Sequence, residues 1–219
     1  MPGFFAEIVV RGGLIVSGDA AATARNIMAS ENLWRLGFAA DLIAGAAYVA
    51  VTLLLYELLK PVNKVLSLFA AFFSLVGIAI GGLAGLAHLA PLLILGGASY
   101  LHAFDAAQLQ ALAYLAIRLH VQGYLIALVF FGFYEVLLGY LIFNSAFLPR
   151  TLGLLVGIAG LAFLVNSFAV FLAPAVGAAL SNAMLILDAI GEFSLMLWLI
   201  VKGVDGPKWA QRAHPTSVS

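Results

Sequence analysis

The chain has no cysteine, few charges and no surplus of charge of either sign. Of its 219 residues only 9% are charged, and ten basic residues balance ten acidic ones. Without cysteine there is no disulfide, no thiol nucleophile and no thiolate metal site. Without a basic surplus there is no electrostatic footprint for phosphate, so a nucleic-acid partner is not expected. Soluble domains carry about 25% charged residues. A chain with so few cannot cover a water-facing surface. The opening residues MPGFFAEIVVRGG also lack the basic stretch before an apolar core that marks a cleavable signal peptide. Period-two alternation of polar and apolar residues is missing too, which argues against a β-barrel.

What is present is apolar. Hydrophobic residues make up 64% of the chain, and the mean hydropathy is +1.13. These values predict an integral membrane protein. Five segments, roughly 34–59, 65–89, 118–143, 152–173 and 178–201, each exceed the ~20 residues needed to cross the hydrocarbon layer. An unpaired backbone is costly in lipid, so the spans must be helices. The expected fold is therefore all-α, a polytopic transmembrane helical bundle forming one domain over 1–219. Breaks fall at 60–64 (KPVNK), at 144–150 (NSAFLPR) and at Pro174 with Gly177. Pro91 and the Gly96–Gly97 pair are expected to end the second span. Two shorter stretches, about 18–30 and 105–117, read as helices lying on the membrane surface.

Lys and Arg set the orientation. Lys60, Lys64, Arg150, Lys202, Lys208 and Arg212 fall on one side, in short turns and the tail. Arg11, Arg25, Arg35 and Arg118 fall on the other. The positive-inside bias places the first side, and the C-terminus, in the cytoplasm, across the cell inner membrane.

The segments GDAAATARNIMASENLWRLGFAADL, YELLKPVNKVLSLFAAFFSLVG, LLGYLIFNSAFLPRTLG and GEFSLMLWLIVKGVDGPKW resemble the bacterial DUF4386 family. That family comprises polytopic membrane proteins without an assigned function. The resemblance covers nearly the whole chain and implies topology rather than chemistry. Members of that family usually have a further hydrophobic helix before FAEIVVRGG, which this chain, beginning at Met1, is expected to lack; the full family pattern has six spans with both termini inside.

Polar residues inside the spans recur at helical spacing. Asp41, Gly45, Tyr48, Thr52 and Tyr56 line one stripe of the first span. Ser74, Gly77, Gly81, Gly85 and His88 line the second, with two overlapping GxxxG units. His120, Tyr124, Phe131 and Glu135 share a face of the third. The fourth carries a GxxxG at Gly153 and Gly157, with Asn166 and Ser167 further along. The fifth holds Asp188 and Glu192 on one face, one turn apart. Counted from the helix ends, Glu135 and Glu192 fall at similar depth, ~14 and ~15 Å in. A polar track is expected, from an outer cluster of Asp41, His88, Arg118, His120 and Asn166 to Asp188 and then to Glu192 and Glu135.

Carboxylates inside a bilayer are expensive and mark function by default. Three of them close together are expected to titrate as a coupled set and not to be ionised all at once at neutral pH. Asp188, Glu192 and Glu135 are the candidate catalytic groups. Asp41, His88, Arg118, His120, Tyr124, Asn166, Asp188 and Glu192 are the candidate ligand-binding residues. Plainer readings compete with these. The acids can bond to one another across helices, and His88 can pack against a backbone carbonyl. Asp41 can pair with Arg35, and the glycine stripes can simply pack helices. His88, His120, Asp188 and Glu192 are of metal-ligand type, but no HxxxH or HExxH spacing supports a site. No metal and no cofactor are expected.

Three functions remain open. The first is a bundle that binds a lipid or lipophilic small molecule in a cavity, with acid–base chemistry by the carboxylates. The second is a proton-coupled transporter or relay. The third is a structural or regulatory subunit. The expected partners are membrane lipids, and a second copy or another membrane protein held by the GxxxG stripes.

Overall fold

A computed structural model describes residues 5–213. The ends of the single domain expected over 1–219, residues 1–4 and 214–219, lie outside the described residues. The described chain is helical, with no β-strand among the described residues. A π-helical stretch, Phe5–Arg11, continues into one α-turn, Gly12–Leu14. Then follow α1 (Ala20–Ala29), α2 (Glu31–Leu59), α3 (Lys64–Leu95), a 3-10 turn (Ser99–Leu101), α4 (Ala106–Phe143), α5 (Arg150–Leu172), α6 (Pro174–Val201) and α7 (Gly206–Ala213). α2 to α6 are each long and apolar enough to cross a membrane. They present Leu36, Ile43, Leu54, Leu83, Leu172 and Ile200 outward, as a lipid-facing bundle requires.

The helix ends follow local chemistry. Asp19 caps α1 by accepting from the Ala22 N–H at 2.8 Å, and the preceding Gly18 takes a left-handed φ of 79°. Asn63 caps α3 through the Leu66 N–H at 3.0 Å. Asp105 and Gln108 form a reciprocal capping box at 2.8 and 2.9 Å, which starts α4. Pro174 opens α6 at a position where its missing N–H costs nothing.

Two expectations are corrected here. The stretch 105–117 is not a separate surface helix. It is the first third of α4, one helix of 38 residues, or ~57 Å. The capping box starts the helix and no proline interrupts it before Phe143. Pro91 does not end the second span either. α3 runs on to Leu95 and stops at Gly96–Gly97, where Gly97 has φ 74°. A proline removes only one helical hydrogen bond and is tolerated inside membrane helices.

The chain divides into two compact units: residues 1–48 with 78–125, and residues 49–77 with 126–219. In the first, Val10, Leu14, Ile27, Trp34, Leu92 and Ile117 form the core. The helix expected over 18–30 is therefore packed into this unit through Ile27 and not simply laid on a surface. In the second unit α4 and α5 meet backbone to backbone. A Cβ on Gly139 would sit 2.6 Å from the Gly153 carbonyl oxygen, and one on Gly160 would sit 2.7 Å from that of Gly132. The fourth-span GxxxG is thus occupied within the chain, against a glycine row on α4. One end of this unit is tied together. The Asp205 N–H donates to the Phe147 carbonyl at 3.1 Å, and the Trp209 indole N–H donates to the Leu58 carbonyl at 2.9 Å.

Candidate functional site

The second unit gathers three acids. Asp188 and Glu192 lie four residues apart on α6 and so share a face. Glu135 comes from α4. Glycine makes the meeting possible. A Cβ on Gly160 of α5 would lie 2.8 Å from the Glu135 Cβ, and one on Gly191 of α6 would lie 2.6 Å from the Ala159 Cβ. Both neighbours therefore approach α5 closely at the same level. Carboxylate oxygens of Glu135, Asp188 and Glu192 lie within 4.8 Å of one another.

Their surroundings differ. Glu135 is 2% exposed and Asp188 9%. Glu192 is surrounded by neighbours yet keeps an edge on the surface of the unit. Glu135 and Glu192 are hydrogen-bonded through their side chains. A carboxylate only accepts, so a bond between the two requires one of them to be protonated. Oε2 of Glu135 and Oδ1 of Asp188 are buried without a hydrogen-bond partner among the described residues. No Lys, Arg or His occurs in 126–143, 151–172 or 174–201. Among the described residues, the second unit's spans therefore carry side-chain cations only at their ends, at Lys64 and Arg150.

A second charged cluster lies in the first unit. Arg11, 7% exposed, donates from Nε to Glu7 at 2.7 Å. Its two terminal nitrogens reach both Asp41 oxygens at 2.7 and 3.3 Å, a bidentate fork. One of them also reaches His88 Nδ1 at 3.3 Å. Burial disfavours the guanidinium charge, but the bonds and fields of Asp41 and Glu7 outweigh it and raise the pKa. His88 Nε2 lies 3.1 Å from the Trp34 carbonyl, so Nε2 carries the proton and Nδ1 accepts from Arg11. The Trp34 ring stacks on His88 at 4.1 Å, and its N–H donates to the His88 carbonyl at 2.8 Å. His120 Nδ1 lies 2.9 Å from the Ala84 carbonyl.

The expected residues thus fall into separate groups. Asp41, His88 and His120 belong to the first unit, with Arg11. Asp41 pairs with Arg11, while Arg35 pairs with Glu31. Arg118 and Tyr124 are exposed. Asn166 accepts from the Ser181 hydroxyl at 3.2 Å, by the α5–α6 turn. Only Glu135, Asp188 and Glu192 form the cluster in the second unit. Arg11 is the residue that sequence reasoning passed over. Its signal was the Glu7–Arg11 spacing of four inside an otherwise apolar stretch.

Chemically, three adjacent carboxyl groups can hold protons, bind a cation or serve as acid and base. As metal donors they are hard oxygens suited to Mg²⁺, Ca²⁺ or Mn²⁺. They offer few ligands, however, because the surrounding backbone carbonyls are committed to regular helix.

No curated protein and no solved structure matches this chain. Residues 2–203 match the family model described as a domain of unknown function, DUF4386, and the chain belongs to that family.

Proposed function

We propose that this protein sits in the bacterial inner membrane with its C-terminus in the cytoplasm. There it binds a lipophilic small molecule or lipid at Glu135, Asp188 and Glu192. The supporting observation is the pair of buried carboxyl oxygens that lack partners beside an acid reachable from outside the helices. An unsatisfied buried acceptor costs about 1–3 kcal/mol, and a bound ligand would relieve that cost. If the ligand carries an exchangeable proton, Asp188 and Glu192 are placed to act on it as base and acid.

The orientation draws on the second unit, where Lys60, Lys64, Arg150 and Lys202 all fall at the turns or helix ends. A cavity of about 280 Å³ belongs to the first unit and is lined by Met28, Leu95, Leu109 and Arg25 among others.

The test is a photoreactive fatty-chain probe in nanodiscs, with the adduct mapped by peptide mass spectrometry. Labelling should fall near residues 188–192 and drop in Glu135→Gln. Uniform labelling of all lipid-facing helices, unchanged by that substitution, would sink the reading.

A second reading, proton coupling, draws on the adjacent carboxyl groups of Glu135, Asp188 and Glu192, which lie within 4.8 Å of one another. Proton flux into liposomes that survives Glu192→Gln would reject it. A third reading, a subunit docked through its glycine stripes, draws on Gly81 and Gly157, where a Cβ would meet open space, while Gly77, Gly85 and Gly153 are occupied within the chain.

A further inference from the structure

We infer that the ligand of the Glu135–Asp188–Glu192 cluster is a lipophilic ammonium compound, an alkyl chain ending in a positively charged nitrogen that carries N–H donors. The inference rests on the lipophile-binding reading above and gives the ligand its chemistry.

Charge is the first argument. Three acids lie within 4.8 Å of one another, and in the described spans of this unit Lys and Arg occur only at the helix ends, at Lys64 and Arg150. Elsewhere in the chain the same problem is solved with a cation, since Arg11 sits in the fork of Asp41. Here the charge is met either by protons on the acids or by a cation from outside.

Hydrogen bonding is the second. Among the described residues two acceptors of the cluster are unfilled. Glu135, 2% exposed, has an unpartnered Oε2, and Asp188, 9% exposed, an unpartnered Oδ1. A primary ammonium has three donors on one nitrogen. It can reach both of these oxygens and one on Glu192. An alcohol brings a single donor and no charge. A trimethylammonium brings charge and no donor.

Access is the third. The exposed member is Glu192, and on its side of α6 Met196 is exposed and Leu199 half-buried. An apolar tail can lie along these two residues. A hydrated divalent ion would have to shed its water in an apolar layer, and the regular helices offer few oxygens in exchange. The same shape therefore favours an amphiphile over a metal.

The experiment compares dodecylamine, dodecyltrimethylammonium and dodecanol at equal mole fraction in phosphatidylcholine nanodiscs. Each competes against the photoreactive fatty-chain probe, and Mn²⁺ alone is tested in parallel. Dodecylamine should displace the probe at least about tenfold more effectively than dodecanol, as charge-assisted hydrogen bonds require. It should also exceed dodecyltrimethylammonium. Glu192→Gln, at an exposed position that folding can spare, and Asp188→Asn should bring dodecylamine down to the level of dodecanol. Equal displacement by all three compounds would overturn the ammonium proposal and leave the lipophile reading standing. Absence of localised probe labelling at this site would remove both. Displacement by Mn²⁺ that depends on Glu135, with none by the amine, would overturn the proposal in favour of a metal.

Discussion

The two buried charged clusters of this protein answer one electrostatic problem in opposite ways. In the first unit a guanidinium meets Glu7, both oxygens of Asp41 and one ring nitrogen of His88. The buried guanidinium faces Asp41 and the largely exposed Glu7, and the remaining His88 nitrogen is tied to the Trp34 carbonyl. In the second unit three carboxyl groups crowd together without a cation, and two of their oxygens lack partners. On the proposed function, the difference separates a strut from a receptor. A satisfied cluster holds helices together, while an unsatisfied one keeps binding capacity in reserve. The two should respond oppositely to mutation.

The sharpest break is Arg11→Met. It strands Asp41 beside His88, and removing one partner of a buried pair costs about 3 kcal/mol. The melting temperature in nanodiscs should fall accordingly, with Asp41→Asn added as a second change to restore part of the loss. A fall no greater than that of an exposed-site control such as Arg35→Met would erase the contrast.

Next comes Gly160→Val. Its Cβ would press on the Gly132 carbonyl, the Val136 N–H and the Glu135 Cβ at 2.7–2.8 Å. Overpacking of this kind costs about 2 kcal/mol, and by moving α4 away it should also abolish probe labelling at residues 188–192. Retained labelling would mean that the three acids do not act together.

Asp188→Leu tests the other side of the comparison. Replacing a buried, unpartnered acid by an apolar residue should raise stability by about 1 kcal/mol while binding is lost. A clear drop in melting temperature would make this cluster a strut as well.

The smallest effect belongs to Asp205 at the start of α7. Its carboxyl accepts from the Lys208 side chain and N–H, and its pKa lies below the ordinary value of 3.8. A lowered folded value means that its contribution is present above 3.8 and is lost as pH falls through the folded pKa. Trp209 emission should therefore change only in that acid range, and Asp205→Asn should remove the transition.

The bundle itself was legible in the amino-acid sequence, because a span is a local property of length and apolarity. So was the shared face of Asp188 and Glu192, which needs only the helical period. The depth count that set Glu135 near the level of Glu192 used helix rise alone. Which helices lie side by side was not legible. Arg118 drew attention as a cation near the acids and is exposed, while the buried partner of Asp41 is Arg11, 30 residues away along the chain. Pairing across helices depends on close approaches set by glycines whose partners are backbone atoms, such as Gly160 against Gly132, and these leave no periodic mark. Helix ends were misread for a related reason. Pro91 is a breaker in water but is tolerated where a membrane helix has packed neighbours.

The paired bonds between Trp34 and His88 fix more than a side-chain position. Each residue donates from its ring to the other's backbone carbonyl, and the two rings stack between. Sliding α2 along α3 by one turn, ~5.4 Å, would break both bonds and the stack in the same movement. That makes the vertical register of these two helices all-or-none. Any rearrangement of the first unit must carry them as a single body, turning together rather than slipping past each other.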